Sequence, residues 1–126
     1  MKIVPLVLSA ALLAVPAAAQ DAPPLTLEHR MMLRCSAAFA IVAGEQQRGV
    51  VTAQAYPPLA ERGREYFART GARLMDDLQL SREQIEAQMR AEAAAIQKAA
   101  TEAPDRAAYL DSLVRPCLSA LEASGL

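Results

Sequence analysis

The sequence predicts an all-α protein, a small antiparallel four-helix bundle stapled by one disulfide between the first and last helices. Three observations carry this expectation. Alanine, leucine, arginine, glutamate and glutamine, all strong helix formers, dominate the composition. Apolar residues recur at steps of three and four in four successive segments. The only two cysteines, Cys35 and Cys117, fall on the apolar stripes of the first and the fourth segment.

The chain opens with an export signature. Met1-Lys2 supplies a minimal positive start, residues 3–15 carry no charge, and the segment ends in Val15-Pro16-Ala17-Ala18-Ala19-Gln20. Small residues at Ala17 and Ala19 suit signal peptidase, with cleavage expected after Ala19 and Ala17 as the alternative. As an uncut anchor the stretch falls short of the roughly 20 apolar residues that span a bilayer, and Pro5 and Pro16 interrupt it. Residues 1–19 are therefore read as a cleaved secretory signal and 20–126 as a single helical domain. No cysteine follows the apolar stretch closely, which argues against a lipid-modified amino terminus. The short, alanine-rich signal is of bacterial type, so the periplasm, an oxidising compartment, is the expected location.

Removing 19 of 126 residues leaves 107, enough for one domain with a core small enough that a covalent staple helps it. Lys2 leaves with the signal and takes the formal charge from −1 to −2. That balance gives no electrostatic reason to expect nucleic acid or anionic lipid as a partner, and no stable membrane anchor is expected after cleavage.

Each helix has its own signals. Thr26 is the candidate cap of the first, whose stripe reads Leu27, Met31, Cys35, Ala38, Phe39 and Val42 and which should stop near Gly44 or Gly49. Residues 45–56 show no clear period and read as the longest connection, with room for a helical turn. Pro57-Pro58 opens the second helix, since proline is tolerated in a first turn. Its inward face is Leu59, Gly63, Tyr66, Phe67, Thr70, Leu74 and Leu78. Gly63 and Gly71 each cost about 1 kcal/mol against alanine in a helix interior, unless they admit a close neighbour.

Ser81-Arg82-Glu83-Gln84 has the form of a capping box, in which serine and glutamine side chains reciprocally satisfy backbone N–H groups. The third helix behind it carries Ile85, Met89, Ala93, Ile96 and Ala100, a thin face that calls for close packing. Pro104-Asp105 begins the fourth, with the strongest stripe: Tyr109, Leu110, Leu113, Val114, Cys117, Leu118 and Leu121. Pro116 inside it removes the bond to the Ser112 carbonyl, so a kink or break is expected near residues 112–115.

Thiols 82 positions apart on separate apolar faces point to a structural disulfide rather than a redox pair, which usually takes the C-x-x-C form; two free buried thiols are the alternative. His29, the sole histidine, stands beside Met31 and Met32, a grouping that could bind copper(I) or haem iron. The competing reading is a first-turn surface histidine next to core methionines, and it is preferred because Met31 is already needed on the stripe. Arg62, Arg64, Arg69 and Arg73 could cradle an anion. However, Glu65 with Arg69 and Arg73 with Asp77 have the four-residue spacing of a solvated, ion-paired face, as do Glu86 and Arg90.

No nucleophile elbow accompanies any serine, and catalysis by a histidine would have to use His29. A carboxylate pair brought together by folding is not detectable by spacing.

Leu25-Thr26-Leu27-Glu28-His29 and Leu80-Ser81-Arg82-Glu83-Gln84 resemble loose versions of the L-T-x-x-Q boxes in a family of helical periplasmic stress chaperones and metal-sensing proteins. The first ends in histidine rather than glutamine and the second opens with serine. The pattern also matches a generic helix start, so the resemblance does not assign the chain to that family. In architecture alone, the chain is also similar to small disulfide-bearing acid-stress chaperones of the periplasm.

The expectation is thus a non-enzymatic, exported periplasmic protein, without a cofactor, acting through contacts with a protein partner as a chaperone, inhibitor or envelope-stress component. The alternative is a small metal or ligand carrier using His29 and the nearby methionines.

Overall fold

In the computed structural model, residues 24–126 are described. Residues 1–19, read above as a secretory signal, lie outside them. Four helices follow: α1 (Leu27–Gln47), α2 (Ala60–Leu78), α3 (Arg82–Glu102) and α4 (Arg106–Ala123), with a 3-10 turn at Val51–Ala55 between the first two.

Local chemistry sets the ends. The Thr26 hydroxyl accepts the His29 N–H at 3.1 Å to start α1. Gly49, at φ 74°, stops it: its N–H bonds to the Gln46 carbonyl and the Val50 N–H to that of Glu45, the paired bonds of a Schellman termination. Gln46 then organises the connection. Its amide donates to the carbonyls of Ala53, Tyr56 and Pro57, and its oxygen accepts the Leu59 N–H at 3.1 Å. Pro57 and Pro58 precede α2 rather than enter its first turn, consistent with the extended backbone that a proline imposes on the residue before it. The Ser81–Gln84 capping box forms as expected, and Asp105 caps α4 by accepting the Ala108 N–H at 3.0 Å.

Helix α1 lies against all three others, most extensively α2 and α3. Bonds between helix ends give the directions. His29 at the start of α1 meets Asp77 at the end of α2, and Arg106 at the start of α4 meets both Glu45 and Gln97 near the ends of α1 and α3. Helices α1 and α3 therefore run together, and α2 and α4 run against them.

The main core gathers Phe39, Val42, Leu59, Ile96, Val114 and Leu121 around the Cys35–Cys117 disulfide, whose Cα atoms are 5.2 Å apart. Phe39 is fully buried and meets Tyr66 edge-on, with ring centroids 5.3 Å apart. Gly63 makes this approach of α2 possible, because a Cβ there would stand 3.0 Å from Phe39 Cβ. Ser36 donates to Thr70 at 3.1 Å inside the same interface, so both buried hydroxyls are paired. A second cluster, Leu33, Leu74, Leu78, Ile85 and Met89, closes the other end.

Three further sequence expectations change. The break expected near residues 112–115 does not occur: α4 runs from Arg106 to Ala123 through Pro116, with Pro116 and Ser112 both exposed. Leu27 and Met31, placed on the inner stripe of α1, are 71% and 43% exposed. Leu27 is the first helical residue, and side chains there project back past the helix end. The last turn of α4 is meanwhile drawn to α2, where Arg62 bonds Glu122 and Arg69 bonds the Ser124 carbonyl. Phe67, counted on the inward face of α2, is 37% exposed.

Candidate functional site

His29 reverses the preferred reading of its surroundings: the histidine is 5% exposed and Met31 is the outward residue, with Met32 half-buried. Both ring nitrogens are engaged. The Thr26 N–H donates to Nδ1 at 3.2 Å, which leaves Nε2 as the protonated nitrogen, donating to Asp77 Oδ2 at 3.0 Å. His29 thus completes a capping box in the position where glutamate or glutamine usually stands. A metal would have to displace one of these bonds to reach a ring lone pair. Among the described residues no group of three or more His, Cys, Asp or Glu side chains could hold a metal ion.

Cys35 and Cys117 are each 1% exposed and joined, and no cysteine is free among the described residues. The disulfide therefore belongs to the core. The arginine row on α2 is mostly paired: Arg69 with Glu65 at 3.2 Å, Arg73 with Asp77 at 2.5 Å, Arg62 with Glu122 at 2.8 Å. Arg73 and His29 together hold the Asp77 carboxyl below its ordinary range, the histidine bond first. Glu86 and Arg90 are 4.0 Å apart on α3.

Two features recruit polar groups that the sequence reading left unassigned. Glu45, 6% exposed, accepts from Arg106 at 2.6 Å, a buried carboxylate whose charge is met across helices. The Tyr56 hydroxyl donates to Asp111 at 2.9 Å, tying the 3-10 connection to α4. Both tie elements together, and a cavity of about 320 Å³ opens beside them, lined by Glu45, Ala53, Tyr56, Leu110 and Asp111.

Of the surface cavities among the described residues, the most apolar form a trough along one flank of α2. Two adjoining cavities, of about 320 and 250 Å³, share Arg64 and Phe67 as lining residues. The larger has Ala68, Gly71, Ala72 and Met75 of α2 on one side and Arg82, Ile85 and Glu86 of α3 on the other. The smaller continues over Ala40 and Ala43 of α1 toward Ala60. Phe67 and Met75, eight positions apart and 37% and 36% exposed, stand along it.

Gly71 between them has no structural duty of the kind Gly63 has. A Cβ on Gly71 would meet only Ile85 Cγ2, at an ordinary 4.0 Å, so the fold would gain about 1 kcal/mol of helix propensity from alanine there. Among the described residues neither Arg64 nor Arg82 has an ion-pair partner, which leaves two cationic groups at the edges of an apolar trough. Sequence reasoning missed the trough because Phe67 lies one step from the true core stripe. The available signal was the Phe67, Gly71, Met75 repeat, which is apolar and lies beside the core stripe rather than on it.

Comparison with known proteins adds no assignment: no family model, curated protein or solved structure matches this chain.

Proposed function

We propose that this is an exported, periplasmic, non-enzymatic protein that acts through contacts with other proteins, as a chaperone, inhibitor or envelope-stress component. The observation that carries the reading is the apolar trough beside α2, where Phe67 and Met75 expose surface that an isolated domain gains nothing by exposing. Export is supported by the amino-terminal segment and by a buried disulfide, a bond that persists in oxidising compartments. Among the described residues no helix is long and apolar enough to cross a membrane. The polar clusters are consumed by capping, by ion pairs between helices and by the tie to the connection. The metal-carrier alternative would need a free ring nitrogen, and both nitrogens of His29 are bonded.

The test is native mass spectrometry of protein recovered from the periplasm of an expressing bacterium, before and after copper loading. The expected result is a chain that begins at Gln20, carries less than a tenth of an equivalent of metal, and is recovered with protein partners. A stoichiometric small molecule or metal without any protein partner would reverse the reading.

A further inference from the structure

Resting on the protein-contact reading, we infer that the trough beside α2 is the docking site for an amphipathic helix of a partner protein that carries carboxylates on its flanks. Three features fit that occupant. From Ala60 to Met75 the trough runs 15 residues along α2, about 22 Å at the helical rise, the length of a four-turn helix. Its floor is cut low by Ala68, Gly71 and Ala72, with Phe67 and Met75 as raised points. That relief accepts anchors spaced at i, i+4 and i+7 on an incoming helix. The edges carry Arg64 and Arg82, while Glu86, the carboxylate of the larger cavity, faces its own Arg90 at 4.0 Å. Net positive edges around an apolar floor select an acidic flank and disfavour a basic one. Gly71 then has a role that the fold does not give it, keeping the floor low where the partner's largest side chain sits.

The experiment uses the full chain against a displayed library of 16-residue amphipathic helices, with the apolar face fixed and the flanks randomised among Glu, Lys, Gln and Ser. Selected peptides should favour Glu over Lys at the flanks by at least about tenfold, the margin that two opposed rim charges provide. Their affinity should fall about tenfold or more with Phe67→Ser, and with Gly71→Leu, which fills the floor. The double variant Arg64→Glu/Arg82→Glu should invert the preference toward Lys. These residues are surface-lining, and an unchanged circular dichroism spectrum confirms that each variant is folded. Three results would overturn the site: no flank preference in the wild type, no inversion in the double variant, or a 1:1 complex with sodium oleate in place of any peptide. If helices bind and Phe67→Ser leaves them unaffected, the protein-contact reading stands and the trough is the wrong surface. If only oleate binds, both fail.

Discussion

His29 and Asp77 join the first turn of α1 to the last turn of α2 through a 3.0 Å bond from Nε2, while Nδ1 accepts the Thr26 N–H. One side chain therefore starts a helix and fixes its neighbour. His29→Gln should keep the cap, because glutamine is the usual residue at that capping-box position, whereas His29→Ala loses it. The alanine variant is expected to be less stable by about 1 kcal/mol or more, the usual worth of a cap, and the glutamine variant by clearly less, as read from urea midpoints.

Gly63 and Gly71 should respond to alanine with opposite signs. At Gly63 the new methyl would meet Phe39 Cβ at 3.0 Å, and Phe39 is fully buried, so crowding of roughly 1 to 3 kcal/mol outweighs the gain in propensity. At Gly71 the space is free, and alanine should stabilise by about 0.5 to 1 kcal/mol. Thermal unfolding of the two variants beside the wild type checks both signs at once.

Breaking the Cys35–Cys117 staple with a double alanine substitution releases a loop of 82 positions in the unfolded chain. The loop-entropy relation sets the loss at about 4 to 5 kcal/mol, comparable to the whole stability of a marginal small domain. Wild-type protein should yield no alkylatable thiol until reduced, and the double variant should unfold at much lower urea.

Tyr56 contributes to the alkaline limb of stability, together with Tyr66, whose hydroxyl burial also pushes up. Burial first, and then the bond to Asp111, push the Tyr56 hydroxyl from 10.0 up to about 12. Above pH 10 the unfolded chain loses this proton while the folded chain keeps it, so stability present below pH 10 is lost between 10 and 12. At the acid end the order is reversed. Asp111, held low by Arg115 and then Tyr56, and Asp77, held low by His29 and then Arg73, contribute stability above the ordinary value of 3.8. That contribution disappears as pH falls through their folded values. Urea midpoints measured across pH should therefore decline at both ends, and Tyr56→Phe should lessen the decline between pH 10 and 12.

Much of the fold was legible because its signals are local. The Ser81–Gln84 box, Asp105, Gly49 and the apolar stripes act within one or two turns, and the two cysteines needed only their stripes to imply that α1 and α4 are neighbours. The candidate site was not legible, because it depends on which face of a helix its neighbours leave uncovered. Leu27 and Met31 have the right period for a core, yet the last turn of α4 is held by Arg62 and Arg69 and they remain exposed. His29 looked like a surface residue because its two partners, Thr26 and Asp77, lie 3 and 48 positions away, and no spacing rule links all three. Pro116 is carried inside α4 without a break, at a position where it and Ser112 are both exposed.

The central claim, that the α2 flank is a protein-binding surface, is tested most directly by a photo-crosslinking residue placed at Phe67 in living cells, with one at exposed Ser119 of α4 as control. The account predicts a discrete protein adduct from position 67, absent from position 119 and lost when Arg64→Glu/Arg82→Glu is added. No adduct from position 67, or the same adducts from both positions, would contradict it.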